Sequence, residues 1–183
     1  MVIFTDSQNA IKPLKNVIEE CAIKYKPNAI YLREKQLSDE EYIIMAKKIM
    51  AVCNKHNIPL FICHRVEIAK KLGIKNLHIS ANNLSKIGSN LFFDNISVAI
   101  HSLEDIGLAQ KFGGTNLVYG HIFETACKPN LLPRGLERLK EICDKSTIPV
   151  IAIGGINKDN YEQVLNSGAK DFAIMSSAMK LEF

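Results

Sequence analysis

Along the chain, short apolar runs rich in β-branched residues alternate with stretches in which apolar residues recur every three or four positions. Eight runs read as strands: residues 2–5 (VIFT), 29–33 (AIYLR), 59–63 (PLFIC), 76–80 (NLHIS), 97–100 (SVAI), 116–120 (NLVYG), 149–155 (PVIAIGG) and 171–177 (DFAIMSS). The later runs are almost continuously hydrophobic, as parallel strands covered on both faces must be. Helical patterns fill the gaps. Residues 12–25 set Leu14, Val17, Ile18, Cys21 and Ala22 at a helical period. Ser38 with Glu41 makes a capping box that opens a helix over 39–55, and Ser102 with Asp105 marks another over 103–112. Residues 65–73, 134–145 and 158–167 supply three more, with Gly73 and Gly168 as stops.

Eight strands alternating with helices predict an α/β fold, a small (β/α)₈ TIM barrel formed by residues 1–183 as a single domain. Two irregularities qualify it. Residues 81–96 offer only a stub of a fourth helix, and after the eighth strand only AMKLEF (178–183) is left for the eighth. A short or missing last helix is expected to uncover an apolar groove beside the first and seventh helices, and so predicts a homodimer.

Composition narrows the function. A hydrophobic content of 47% over 183 residues suffices for one well-buried domain. The net charge is +4 and the 23 basic residues are dispersed, which argues against nucleic acid and is compatible with a small anionic ligand. The five cysteines, at 21, 53, 63, 127 and 143, show no metal-binding spacing and suit reduced thiols in the cytoplasm. No apolar stretch approaches the roughly 20 residues that span a bilayer, and the N-terminus is too short and polar for a signal peptide. Neither metal nor cofactor is expected.

In such a barrel, chemistry collects where the strands end. Gly154-Gly155 after strand seven and Ser176-Ser177 after strand eight combine bare backbone with hydroxyls, the make-up of a phosphate site. Arg33 and Lys35 flank Glu34 at the end of strand two, and alternation aims the two cations together over the mouth to meet a ligand carboxylate or phosphate. His64 ends strand three within reach of ligand. His78, mid-strand, reads as a hydrogen-bonded core histidine, and His101 as a loop-ordering one. His121 ends strand six directly after a glycine, with Thr125 and Lys128 following, and an imidazole there can both take and give a proton near neutral pH. Cys63 and Cys127 lack the companions of a nucleophile.

These segments together, YLREKQLS (31–38), HRVEIAKKLG (64–73), AIHSLEDIGLAQ (99–110), GHIFETACKP (120–129), PVIAIGGI (149–156) and AIMSSA (173–178), resemble the thiamine phosphate synthase/TenI family across almost the whole chain. The resemblance implies a small barrel of thiamine biosynthesis. In the synthase branch a pyrimidine diphosphate joins a thiazole phosphate, with magnesium held by aspartates. The positions of those acids read His64 and Asn83 here, which disfavours that reading. The loop after strand six resembles the TenI branch, with His121 where synthases carry proline. That branch implies a thiazole tautomerase, which converts the ylidene form of a carboxythiazole phosphate into the aromatic form without metal. His121 would be its acid–base residue. Arg33, Lys35, His64, Thr125, Lys128, Gly154, Gly155, Ser176 and Ser177 would hold the substrate. A phosphate-binding regulator without catalysis is a further alternative.

Overall fold

The computed structural model describes residues 1–87, 90–125 and 129–183. Eight parallel strands close into a barrel in sequential order, β1 (Val2–Phe4), β2 (Ala29–Leu32), β3 (Leu60–Cys63), β4 (Asn76–Ser80), β5 (Asn95–Ile100), β6 (Asn116–Gly120), β7 (Val150–Ile153) and β8 (Asp171–Ile174). The register runs unbroken, with Ile3 beside Ile30, Tyr31 beside Phe61, Leu117 beside Val150, and Ile3 beside Ile174 to close the ring.

Period-two alternation explains the hydrophobic runs. Val2 and Phe4, Ala29 and Tyr31, Phe61 and Cys63, Val118, Ile151 and Ala173 form one buried cluster inside the barrel. Their neighbours Ile3, Ile30, Leu32, Leu60, Ile62 and Leu117 join the larger cluster between strands and helices. Both faces are therefore desolvated, and each fully buried Ile or Leu contributes roughly 1.5–3 kcal/mol. Inside, Tyr31 stacks on Phe61 at 4.4 Å and tilts against Phe4 at 4.5 Å.

The helices follow their apolar stripes: α1 (Leu14–Tyr25), α2 (Asp39–Lys55), α3 (Val66–Lys71), α4 (Glu104–Lys111), α5 (Gly135–Lys145), α6 (Tyr161–Asn166) and α7 (Ser176–Lys180). The capping box of α2 is complete. The Ser38 hydroxyl accepts from the Glu41 N–H at 3.3 Å, and the Glu41 carboxylate accepts from the Ser38 N–H at 2.8 Å, which lowers the Glu41 pKa. Before α4 only the acidic half of the expected box forms. Leu103, one residue later than expected, takes the N-cap position without a side-chain cap, while Asp105 Oδ2 accepts from the His101 and Ser102 N–H groups.

After β4 the chain makes 3₁₀ turns at Ala81–Ile87 and Asn90–Phe92 in place of a fourth helix. Asn82, Asn83 and Ser85 are poor helix-interior residues, because such side chains can bond nearby backbone in turns instead. Ser176 and Ser177, expected at the end of the eighth strand, instead open α7.

The expected groove beside α1 and α6 is filled. Short as α7 is, Cys21 Sγ on α1 donates to its Ala178 carbonyl at 3.5 Å. Leu181 turns the tail into the left-handed region, and Phe183 packs against Tyr25, Tyr161 and Phe172, with its N–H donating to the Tyr25 hydroxyl at 3.2 Å. The homodimer expectation thereby loses the groove it rested on. Exposed Ile11, Ile23 and Ile44 are scattered apolar positions of the kind ordinary surfaces carry.

Candidate functional site

A cavity of about 1050 Å³ opens at the C-terminal ends of the strands. Of the residues expected there, Arg33, Lys35, His64, His121, Thr125, Gly154, Gly155, Ser176 and Ser177 all line it. Lys128 and Cys127 lie outside the described residues. The barrel topology does this gathering, since parallel strands in sequential order send every C-terminal end to one rim.

The β2 end is organised by Glu34, whose importance went unread in the sequence. It is 1% exposed. Its carboxylate accepts from the Thr5 hydroxyl at 2.6 Å, the Ser7 hydroxyl at 2.6 Å, the Ser7 N–H at 3.0 Å and the Gln36 amide at 2.8 Å. Thr5 also accepts from the Arg33 N–H at 2.9 Å. With Glu34 pinned to the β1 loop, alternation leaves Arg33 and Lys35 at the cavity, as expected. A charged residue flanked by two candidate ligands was the available signal, but only the fold reveals its partners.

His64 adopts a left-handed conformation, φ 64°, with its N–H on the His78 carbonyl at 2.8 Å. Burial foremost, then the charges of Lys35, Arg33 and Lys86, hold its pKa below the usual imidazole range. Lys86, from the 3₁₀ turn, is a cation on the cavity wall that sequence reading passed over. His78 is the core histidine expected. Its Nδ1 lies 3.0 Å from the Ser97 hydroxyl, its ring meets Phe4 and Tyr31 edge-on, and burial pushes its pKa down to about 3. Burial likewise pushes the Cys63 thiol well up, which suits a packed filler rather than a nucleophile.

Gly154 and Gly155 have φ of 107° and 68°, a region that favours glycine. A Cβ on Gly154 would lie 2.5 Å from His121 Cβ, and one on Gly155 would lie 2.7 Å from Phe123 Cβ. The β6 loop is thus laid directly on the β7 loop, tied by the Ile122 N–H to the Ile153 carbonyl at 3.1 Å and by the Phe123 N–H to the Gly154 carbonyl at 3.0 Å. The two glycines answer a packing need as well as leaving backbone bare at the cavity.

His121 is 6% exposed and sits in the cavity wall. Its Nε2 lies 3.2 Å from the Leu131 carbonyl. Its Nδ1 is buried and, among the described residues, has no hydrogen-bond partner. A carbonyl only accepts, so this contact favours the neutral tautomer with its hydrogen on Nε2.

The family model described as thiamine monophosphate synthase matches residues 1–178. The chain belongs to the thiamine monophosphate synthase family. It is similar to the thiamine-phosphate synthase of Clostridium tetani, 34% identical over 174 residues that cover 93% of this chain and 83% of that one. The thiamine-phosphate synthase of Caldanaerobacter subterraneus is 35% identical over 153 residues, 81% of this chain and 72% of that one. Among solved structures, thiamine phosphate pyrophosphorylase from Pyrococcus furiosus superposes with a TM-score of 0.82 at 29% identity, covering 97% of this chain and 86% of that one.

Magnesium, which the resemblance attaches to the family's synthase branch, calls for carboxylate oxygens. The cavity's only acids among the described residues are Glu34 and Glu124. Glu34 is already surrounded by donors, and Asn83, an amide on the cavity wall, donates to the Ser80 hydroxyl at 2.7 Å. No group of three or more His, Cys, Asp or Glu among the described residues is placed to hold a metal ion. These residues do not fit magnesium. No helix among the described residues is long and apolar enough to cross a membrane.

Proposed function

We propose that this member of the thiamine monophosphate synthase family is a thiazole tautomerase acting in the cytoplasm. It would isomerise a carboxythiazole phosphate from its ylidene form to its aromatic form. The observation that carries the reading is His121, an imidazole set in the wall of a cation-lined cavity with its Nε2 on a carbonyl and its Nδ1 buried without a partner among the described residues.

The reaction needs a group that removes one proton and returns another, and a clamp for two anionic ends. The ring carbon bearing the carboxylate loses its proton to the imidazole, and the exocyclic carbon gains one from it. Atoms and charge balance without an oxidant, and aromatisation supplies the driving force. Bare backbone at Gly154-Gly155 and the Ser176 and Ser177 hydroxyls would hold the phosphate. Arg33 and Lys35 would hold the carboxylate, with His64, Thr125 and Lys128 completing the contacts.

The test is ultraviolet absorbance of the aromatic ring after mixing the protein with the ylidene carboxythiazole phosphate. Turnover that collapses in His121→Asn, with phosphate-ligand binding retained, supports the tautomerase. Tight binding with no turnover would make the protein a phosphate-binding regulator instead. The names of the relatives at 34% and 35% identity favour a second reading, thiamine-phosphate synthase. Formation of thiamine phosphate from the two synthase substrates with magnesium would establish it and overturn the first.

A further inference from the structure

The segment 129–134 is tied to the barrel rim by its last residue. Arg134 Nη1 donates to the His101 carbonyl at 2.6 Å and to the Tyr119 hydroxyl at 3.4 Å, and the guanidinium lies over the Tyr119 ring at 5.1 Å. The Arg134 N–H donates to the His121 carbonyl at 3.0 Å, and the Gly135 N–H to the Ile122 carbonyl at 3.0 Å. One side chain thus joins the loop after β5, the end of β6 and the segment that carries Leu131. A planar guanidinium can bond in its plane and stack on its face at once, which an ammonium cannot.

We infer that Arg134 is a positioning residue for His121, holding the Leu131 carbonyl against Nε2 so that the neutral imidazole keeps its hydrogen there and its lone pair on Nδ1. Three observations meet in this. The carbonyl at 3.2 Å from Nε2 cannot donate. Nδ1 has no partner among the described residues that would favour the opposite tautomer. Leu131 lies three residues from the anchor and is itself 60% exposed, outside the buried core. Arg134 does not line the cavity. Its effect passes through backbone, as second partners of functional imidazoles commonly do. The tautomer assignment stands on geometry alone, whereas its consequence for proton transfer rests on the tautomerase reading.

Two-bond ¹H–¹⁵N correlation spectra of histidine-labelled protein, at about pH 8 where imidazoles are neutral, report each ring's tautomer. The His121 signals are those missing in His121→Asn. Wild type is expected to show the hydrogen on Nε2. Arg134→Gln should show a mixture of tautomers and about tenfold slower thiazole turnover, with the melting temperature near wild type. Should Arg134→Gln not fold, Arg134→Lys, which keeps a cation but loses the planar fork, carries the same comparison with a smaller change. A wild-type hydrogen on Nδ1 overturns the inference, as does an unchanged Nε2–H tautomer in the folded variants. An Nε2–H ring that shifts with Arg134 in a protein showing no turnover would uphold the positioning and sink the tautomerase reading alone.

Discussion

A Cβ added to Gly154 would lie 2.5 Å from the Cβ of His121, so the residue just after β7 determines how near the β6 imidazole can stand. The backbone at Gly154 has φ 107°, which adds strain to the collision. Gly154→Ala is therefore expected to cost about 1–3 kcal/mol of stability. Turnover should fall further than that loss explains, because His121 must move. Urea denaturation alongside the absorbance assay checks both, and a variant with wild-type stability and rate would show that the loops part easily.

Glu34→Gln replaces an acceptor met by four donors with a group that is itself half donor. Losing charge-assisted bonds from Thr5, Ser7 and Gln36 should destabilise by about 3 kcal/mol. Because Arg33 and Lys35 sit on either side, affinity for the phosphate ligand should drop as well. Calorimetric titration in a folded variant separates the two effects. Unchanged affinity would remove Glu34 from the site's support.

His78 gives the stability a pH dependence of known sign. Its folded pKa is about 3 against an ordinary 6.5, so the unfolded chain binds the proton first. Stability is full above about pH 6.5 and is lost as pH falls toward about 3, at up to roughly 1.4 kcal/mol per unit. His64, held down for related reasons, adds in the same direction. His78→Gln should flatten the slope in denaturant melts taken across that window, and an equally steep slope would assign it to other groups.

His64 should also respond to ligand. Burial foremost, then Lys35, Arg33 and Lys86, hold its pKa down, so an anion bound among the three cations weakens their repulsion and should raise it. Histidine NMR titrations with and without inorganic phosphate measure the change. A downward or absent shift would place the anion elsewhere in the cavity.

Much of this was legible in the residue pattern. Runs such as AIYLR and PVIAIGG had to be buried on both faces, and eight of them separated by 3.6-period stretches admit few arrangements other than a closed barrel. The start of α2 followed from Ser38 and Glu41 because a capping box is local chemistry. Once the barrel was expected, residues at strand ends had to share one rim, which brought Arg33, His64 and His121 together.

What tertiary structure decided depends on partners far apart in the chain. Glu34 is anchored by Thr5, 29 residues away, and nothing around Glu34 announces that hydroxyl. The tail fills its groove because Phe183 reaches Tyr25, 158 residues earlier, where the sequence alone suggested an open face. Gly154-Gly155 looked like phosphate backbone and is also the space in which His121 and Phe123 sit. Local periodicity specifies which faces are buried, whereas contact across the barrel specifies which atoms meet, and the tautomer of His121 belongs to the second kind.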